Sequence, residues 1–503
     1  MRWWKKEQRY RAVLERAARA HAESSDPDGL DAARDFERRF RVADNAVGET
    51  ARLIVGQAAG ERDDYWVGIP VDDEPPRMLV SGSSGAGKSF ELLALLIRLA
   101  GTPTILIDGK GEIAALVEEV LLPALATTDG GRRWIEHLRI IRPYGPRPPQ
   151  FRLTRAADVP PHVMGELFAN AIEDAIGVDL GSRMKHVGKR VGQFAAERDA
   201  PPAAILTWLR DPASFARLAQ SSSDLGLRAY AATFCQESKL SLAALAARLD
   251  EAVFDPRTAA ILSASGCVDI PDCFVQGLTI VRVADDAPLG LEGPVRFWHS
   301  LFVGRFLRAA LARPLTPETP IAWVVADEWP QLVNASRDAA LWGRALSLLR
   351  SRKIGLVLSC QALSQLDAQL IRTTRTNVTH ELHFRPSPED VSLVAGALPQ
   401  HGDEAHRRAL AAAIAHLPKR EFVFWPRGQA AAQILRSPRL DLDELRARAA
   451  ELPKDVRESV RTGILPVADL TPPTSEVTSQ RSLLPALPSP SPPETDGDFL
   501  SIG

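Results

Sequence analysis

The sequence predicts an α/β fold, a central mostly parallel sheet with an all-helical domain inserted into it, and three observations carry that prediction. Short apolar runs of strand length alternate with longer runs of helical spacing, the pattern of a parallel sheet covered by helices on both faces. A glycine-rich octapeptide, Gly82-Ser-Ser-Gly-Ala-Gly-Lys-Ser89, lies between one such strand and one such helix. Residues 155–265 break the alternation, being rich in Ala, Leu, Arg and Gln at helical spacing, with interruptions at Pro201-Pro202 and Asp211-Pro212.

Taken in order, residues 1–50 read as a helical N-terminal segment. Its first 20 residues hold seven Lys or Arg against two Glu, with Trp3, Trp4 and Tyr10 interleaved. That face suits either an anionic surface or docking on the next domain. Residues 51–154 form the first part of the α/β domain. Arg-Leu-Ile-Val at 52–55, Tyr-Trp-Val-Gly-Ile at 65–69, Arg77 to Val80 and Thr104 to Ile107 are its strands. Helices are expected over Lys88 to Leu99 and near 112–122. After the inserted helical domain at 155–265, the α/β pattern resumes over 266–464. Its strands are Leu278-Thr-Ile-Val-Arg-Val, Ile321 to Ala326, Ile354 to Cys360, Glu381-Leu-His-Phe and Glu421-Phe-Val-Phe-Trp, with a long helix near 294–312. Residues 465–503 are dominated by Pro, Ser and Thr and are expected to be a disordered tail, because such a composition cannot bury enough apolar surface to order itself.

Composition narrows the function classes. A chain of 503 residues has length for two to four domains, and 45% hydrophobic with 25% charged residues is ordinary globular chemistry. A net charge of -2 excludes a wholly basic packaging protein but not a locally basic lining. The four cysteines, at 235, 267, 273 and 360, form no C-x-x-C pair, which argues against a disulfide framework or a zinc ribbon and for reduced thiols. The charged start and the short apolar runs, such as Leu92 to Ile97, point to a chain without a signal peptide or a membrane span, hence to the cytoplasm.

The octapeptide matches G-x-x-x-x-G-K-[ST]. Glycines let backbone N–H groups curl around phosphate oxygens, and the N-terminus of the following helix adds partial positive charge. Gly82, Ser83, Ser84, Gly85, Ala86, Gly87, Lys88, Ser89 and Phe90 are the candidate nucleotide-binding residues. Lys88 is assigned to the β- and γ-phosphates and is expected to face solvent in the empty cradle. Ser89 is assigned to magnesium. Asp327-Glu328 follows the apolar strand Ile-Ala-Trp-Val-Val-Ala, at the strand end where open α/β sheets place ligands. Asp327 is the candidate magnesium-positioning acid and Glu328 the candidate general base. Gln361, ending the next strand, is placed to bond the γ-phosphate or its water. The cofactors expected are therefore ATP and Mg2+.

With these residues in hand the chain resembles the type IV coupling proteins, the TraG/TraD-like ATPases of conjugation and type IV secretion within the FtsK–HerA superfamily. The likeness rests on Gly82–Ser89, then Ile107-Asp-Gly-Lys-Gly-Glu112, then Ala326-Asp-Glu-Trp329, then Arg352-Lys-Ile-Gly355 leading to Gln361, and on Asn377-Val-Thr-His-Glu-Leu-His-Phe. It spans roughly residues 50–430. It implies a RecA-like P-loop ATPase with an inserted helical domain, a hexameric ring, and DNA or a nucleoprotein as substrate. Relaxase or secretion-channel proteins are the implied partners, with a peripheral position at the inner membrane. Two departures stand out: Gly109 replaces the proline of the family's acidic motif, and no Asn-Pro-Leu-like signature is evident around Pro149-Gln-Phe-Arg-Leu. The alternatives are a cytosolic HerA/FtsK-like double-stranded DNA translocase in repair or defence, and an ATP-switched adaptor.

Weaker candidates complete the set. Arg183, Lys185, Lys189 and Arg190 could make a basic helix face, most simply a solvated one. His380 and His383, three apart in a strand, point to opposite faces and so make no metal site. Arg344, Arg352, Arg372 and Arg375 are candidates for an arginine acting on a neighbouring subunit's nucleotide.

Overall fold

Runs of aliphatic residues short enough for strands and buried on both faces build the centre of the molecule. The computed structural model describes residues 52–458 apart from short stretches, chiefly 59–65, 146–158, 264–269, 283–289, 335–338 and 399–403. The N-terminal segment, the Pro-rich tail and the residues around Pro149 lie outside the described residues.

Among the described residues eleven strands form one sheet: β1 (Arg52–Ala58), β2 (Trp66–Pro70), β3 (Arg77–Ser81), β4 (Thr104–Asp108), β5 (Arg139–Ile141), β6 (Leu278–Val281), β7 (Ala322–Asp327), β8 (Ile354–Cys360), β9 (His380–Phe384), β10 (Glu421–Pro426) and β11 (Gln433–Arg436). Their order is β2-β1-β11-β10-β9-β3-β8-β7-β4-β6-β5. From β9 to β5 every pairing is parallel. From β2 to β9 every pairing is antiparallel. The expected parallel sheet is thus the central and far part, with an antiparallel flank. Two of its pairs follow from short links: β1 reaches β2, and β10 reaches β11, with too little chain for a crossover, so each pair must run antiparallel.

The side-chain period of two sends neighbouring residues to different cores. Met78 and Val80 of β3 join Leu92, Leu95 and Leu96 of the helix Lys88–Leu99 on one face, while Leu79 faces the other. That second face is covered by the helix Glu292–Ala312, whose buried Trp298 stacks on Phe302, with Phe306 tilted against Phe302. The helix Pro161–Ile176 lies on it in turn, with Phe168 edge-on to Phe297 at 5.9 Å. Leu167 also packs over Gly304, where a Cβ would stand 2.6 Å from its methyl. Helices between Pro161 and Ser263 therefore share one continuous apolar core with the sheet face beneath Glu292–Ala312.

Candidate functional site

The site forms where β3 ends. Gly82 follows Ser81 with φ +151°, and a Cβ there would sit 2.6 Å from the Cβ of Phe384 on β9. Gly87 closes the loop with φ +120°, and a Cβ would press at 3.0 Å on the Arg420 backbone. These two glycines are required by space as well as by conformation. The loop is fastened from outside by Ser83 N donating to the Arg385 carbonyl at 2.8 Å and Arg420 N donating to the Ala86 carbonyl at 2.8 Å. Ser84, Gly85 and Ser89 are exposed, Ser83 and Phe90 half-buried, and the helix Lys88–Leu99 opens directly from the loop. The Arg420 guanidinium lies over the Phe90 ring at 4.2 Å, a contact no local pattern in the sequence announces.

Lys88 departs from expectation. Its side chain is buried rather than solvent-facing, and its ammonium donates to the carbonyls of Gly82 and Ser83, the latter at 3.3 Å. Burial lowers its pKa from the ordinary lysine value, while the nearby Glu328 and Asp327 carboxylates oppose that shift. A buried ammonium needs hydrogen-bond partners, and the loop's own carbonyls supply them.

Strand order brings the other predicted residues to the same edge. Ser81 of β3 is level with Cys360 of β8, and Ala326 of β7 with Leu358 of β8. Half-buried Gln361, the residue after β8, therefore stands between the glycine loop and the acids that end β7. Asp327 and Glu328 are both buried. Burial first, then Asp108 and Glu328, push the Asp327 carboxyl up to about 6 against the Ser359 hydroxyl and Lys88. Glu328 has a left-handed backbone, φ +53°, and its Oε1 accepts from Lys110 Nζ at 3.1 Å. Lys110 lies in the motif after β4, whose Asp108 carboxylate is used up in accepting from the N–H groups of Lys110, Gly111 and Ala114.

A second charged cluster, absent from the sequence reading, sits beneath the loop. The Ser81 hydroxyl is hydrogen-bonded to His383 Nδ1 at 2.7 Å, and His383 Nε2 donates to Glu381 at 2.8 Å. The proton on Nε2 follows from the carboxylate, which can only accept. Arg427 reaches the other Glu381 oxygen at 2.7 Å, and Arg375 lies 3.4 Å away. Burial alone would raise the Glu381 carboxyl, but His383, Arg375 and Arg427 together hold it at about 2. His380 is elsewhere, stacked on Phe424 at 5.6 Å, and its burial lowers it to about 4.

The remaining candidates separate. Arg375 is committed to Glu381, and Arg352 donates to the Arg313 carbonyl at 3.1 Å, whereas Arg372 is exposed. The Arg344 side chain lies outside the described residues. Arg183, Lys185 and Lys189 pair with Glu237, Glu173 and Glu166, and Arg190 bonds Gln193, so the helical face is a set of local pairs.

No protein-family model matches the sequence, and no curated protein matches it. Solved structures share its fold. The bacterial conjugative coupling protein TrwB, lacking its first 70 residues, is similar with a TM-score of 0.51 at 16% identity, over 80% of this chain and 91% of that one. The plasmid coupling protein TrwB in complex with the non-hydrolysable GTP analogue GDPNP gives 0.52 at 16% identity, with the same coverage. VirB4 of Thermoanaerobacter pseudethanolicus gives 0.51 at 14% identity, over 80% of this chain and all of that one. The α/β P-loop ATPase fold expected from the sequence is therefore the fold this chain has, and the likeness falls on the same group of proteins as the motifs do.

Proposed function

We propose that the chain is a Mg2+-dependent ATPase that moves DNA, or a nucleoprotein, in a conjugation or type IV secretion-like system. One observation carries the reading: the strand order β3-β8-β7 sets the glycine loop, Gln361 and the Asp327-Glu328 pair side by side at one sheet edge. TrwB, which shares the fold, has been captured with ADP and Mg2+ and with a non-hydrolysable ATP analogue.

The residues fit the group they would hold. Burial and the neighbouring acids push the Asp327 carboxyl up, so its negative charge is disfavoured there until a divalent cation balances it, and the exposed Ser89 hydroxyl would be the second ligand. Bound MgATP supplies the transferable phosphoryl group and neutralises part of its charge. Lys88 leaves the Gly82 and Ser83 carbonyls for the β- and γ-phosphates, which replace its two weak partners with a full charge. Glu328 accepts the proton of the attacking water, and Gln361 orients that water or the γ-phosphate. A homo-hexameric ring in which exposed Arg372 reaches the neighbouring nucleotide completes the reading, with relaxase or secretion-channel proteins as partners. Among the described residues no helix is long and apolar enough to cross a membrane.

A motor grips a polyanion through phosphate contacts, so binding should fall steeply with salt and depend little on base sequence. Turnover should rise when DNA is added at low salt. Absence of both binding and stimulation would leave the ATP-switched adaptor, which assembles on ATP without a track. Binding confined to duplex DNA, with no single-strand response, would favour the HerA/FtsK-like translocase.

A further inference from the structure

We infer that Arg420, from outside the glycine loop, is a second phosphate-binding cation, whose guanidinium takes the α-phosphate of the nucleotide. This rests on the reading of Gly82–Ser89 as a nucleotide loop and adds a ligand contact to it.

Three observations support it. The first is contact. β10 runs antiparallel to β9, with Phe422 opposite Phe384, so the residue before β10 arrives at the sheet edge where the loop begins. There Arg420 N donates to the Ala86 carbonyl at 2.8 Å, and the Arg420 carbonyl accepts from Ser437 N at 2.8 Å. Between those two bonds the backbone is left-handed, φ +68°, which is uncommon for a residue with a Cβ. A Cβ on Gly87 would stand 3.2 Å from the Arg420 Cγ, and the guanidinium lies 4.2 Å from the centre of the Phe90 ring. The cation therefore rests against the glycine that closes the loop and the first turn of the helix Lys88–Leu99.

The second is unmet charge. Among the described residues no carboxylate pairs with the half-buried Arg420, and the neighbouring acid, Glu421, is taken by Arg436. The Phe90 ring engages the face of the guanidinium and holds it in place. Its N–H donors lie in the guanidinium plane, so the stack leaves them available to phosphate oxygens.

The third is position. β9 and β10 lie on one side of β3, and β8 and β7 on the other. The opposite charges that act most on Lys88 are those of Glu328 and Asp327, which end β7. The phosphate that reacts belongs with that lysine and those acids. Arg420 enters from the opposite side of β3, where the α-phosphate is the group left to it.

The test is calorimetric binding of ATP, ADP and CTP to the full chain with Mg2+, comparing wild type with Arg420→Met and Arg420→Lys. The methionine keeps an apolar stem against Gly87 and drops the charge. It should weaken ATP and ADP equally, by about tenfold, the factor that corresponds to about 1.4 kcal/mol for one charged hydrogen bond. The ratio of ATP to CTP affinity should not change, because both carry the α-phosphate. Arg420→Lys should recover most of the loss, since an ammonium still meets a phosphate as a point charge. Wild-type affinity in a folded Arg420→Met protein overturns the inference. So does a loss for ATP that spares ADP, which would put the contact on the γ-phosphate. A changed ATP to CTP ratio, or a lysine variant as weak as the methionine one, would make Arg420 a platform for the base and overturns it too. Should Arg420→Met fail to fold, Phe90→Leu, which removes the ring beneath the guanidinium, carries the same comparison: ATP and ADP weakened together support the contact, and unchanged affinity overturns it. Lys88→Ala run alongside separates the causes. If it loses nucleotide while Arg420→Met binds as wild type does, only the role of Arg420 fails. If Lys88→Ala binds all three nucleotides as wild type does, the reading of the loop fails and the role of Arg420 with it.

Discussion

Lys88→Ala should reduce nucleotide turnover about 10²–10³-fold or more, the loss measured when one preorganised donor to developing charge is removed. The ammonium is the only cation the glycine loop itself carries, and its partners, the Gly82 and Ser83 carbonyls, hold it within the loop proposed to receive the phosphates. Exchanging those carbonyls for a γ-phosphate is favourable because charge meets charge in a buried setting. The fold should tolerate the change. Removing the ammonium frees two carbonyls at the rim of a partly exposed loop, a cost of about 1 kcal/mol by the usual hydrogen-bond figure. A melting curve close to wild type with turnover lost is the expected pair of results, and a folded variant with normal turnover would remove the phosphate-binding role.

Glu381→Gln should have the largest effect on stability. The carboxylate is fully buried and faces three cationic or cation-capable groups, His383, Arg375 and Arg427. Neutralising it strands buried positive charge, which costs about 3–5 kcal/mol where such pairs have been broken. The pH dependence has a definite sign. The folded carboxyl titrates at about 2 against an ordinary value of 4.5, so its stabilising contribution is complete above about pH 4.5. It is then lost as pH falls toward 2. Urea midpoints of wild type and variant should therefore differ most at neutral pH and converge as pH falls from about 4.5 toward 2. A constant gap would show that the cluster holds the fold by packing alone. Because His383 bonds Ser81, the residue before Gly82, the same variant should also weaken nucleotide binding.

Local chemistry made much of this legible in advance. The strand–loop–helix around Gly82 to Ser89, the apolar strand ending in Asp327-Glu328 and the helical texture before residue 265 are all signals within a dozen neighbouring residues, and the elements lie where those signals put them. What escaped depends on partners far apart in the chain. β5 has three residues and β11 four, too few to show a period, and β1 is joined to the rest of the sheet through Gln57 opposite Arg436, far away in the chain. Glu91, an acid early in a helix, is fully buried without a hydrogen-bond partner of good geometry, and burial lifts it to about 8 although the Ser437 hydroxyl lies near. Lys88 was expected in solvent because a sequence shows a lysine's charge but not the carbonyls that curl around it. The Lys110–Glu328 bond spans 218 positions and joins two motifs that were each read alone.

The central claim is that this sheet edge hydrolyses ATP with Glu328 as the base, and it is tested most directly by measuring ATP binding and turnover together in Glu328→Gln. The amide keeps the shape of the side chain and an acceptor for Lys110 but cannot take a proton from water. The account predicts ATP held with near wild-type affinity and turnover lowered about 10²–10⁴-fold, the usual contribution of a general base. Turnover close to wild type in a variant that binds ATP would contradict it.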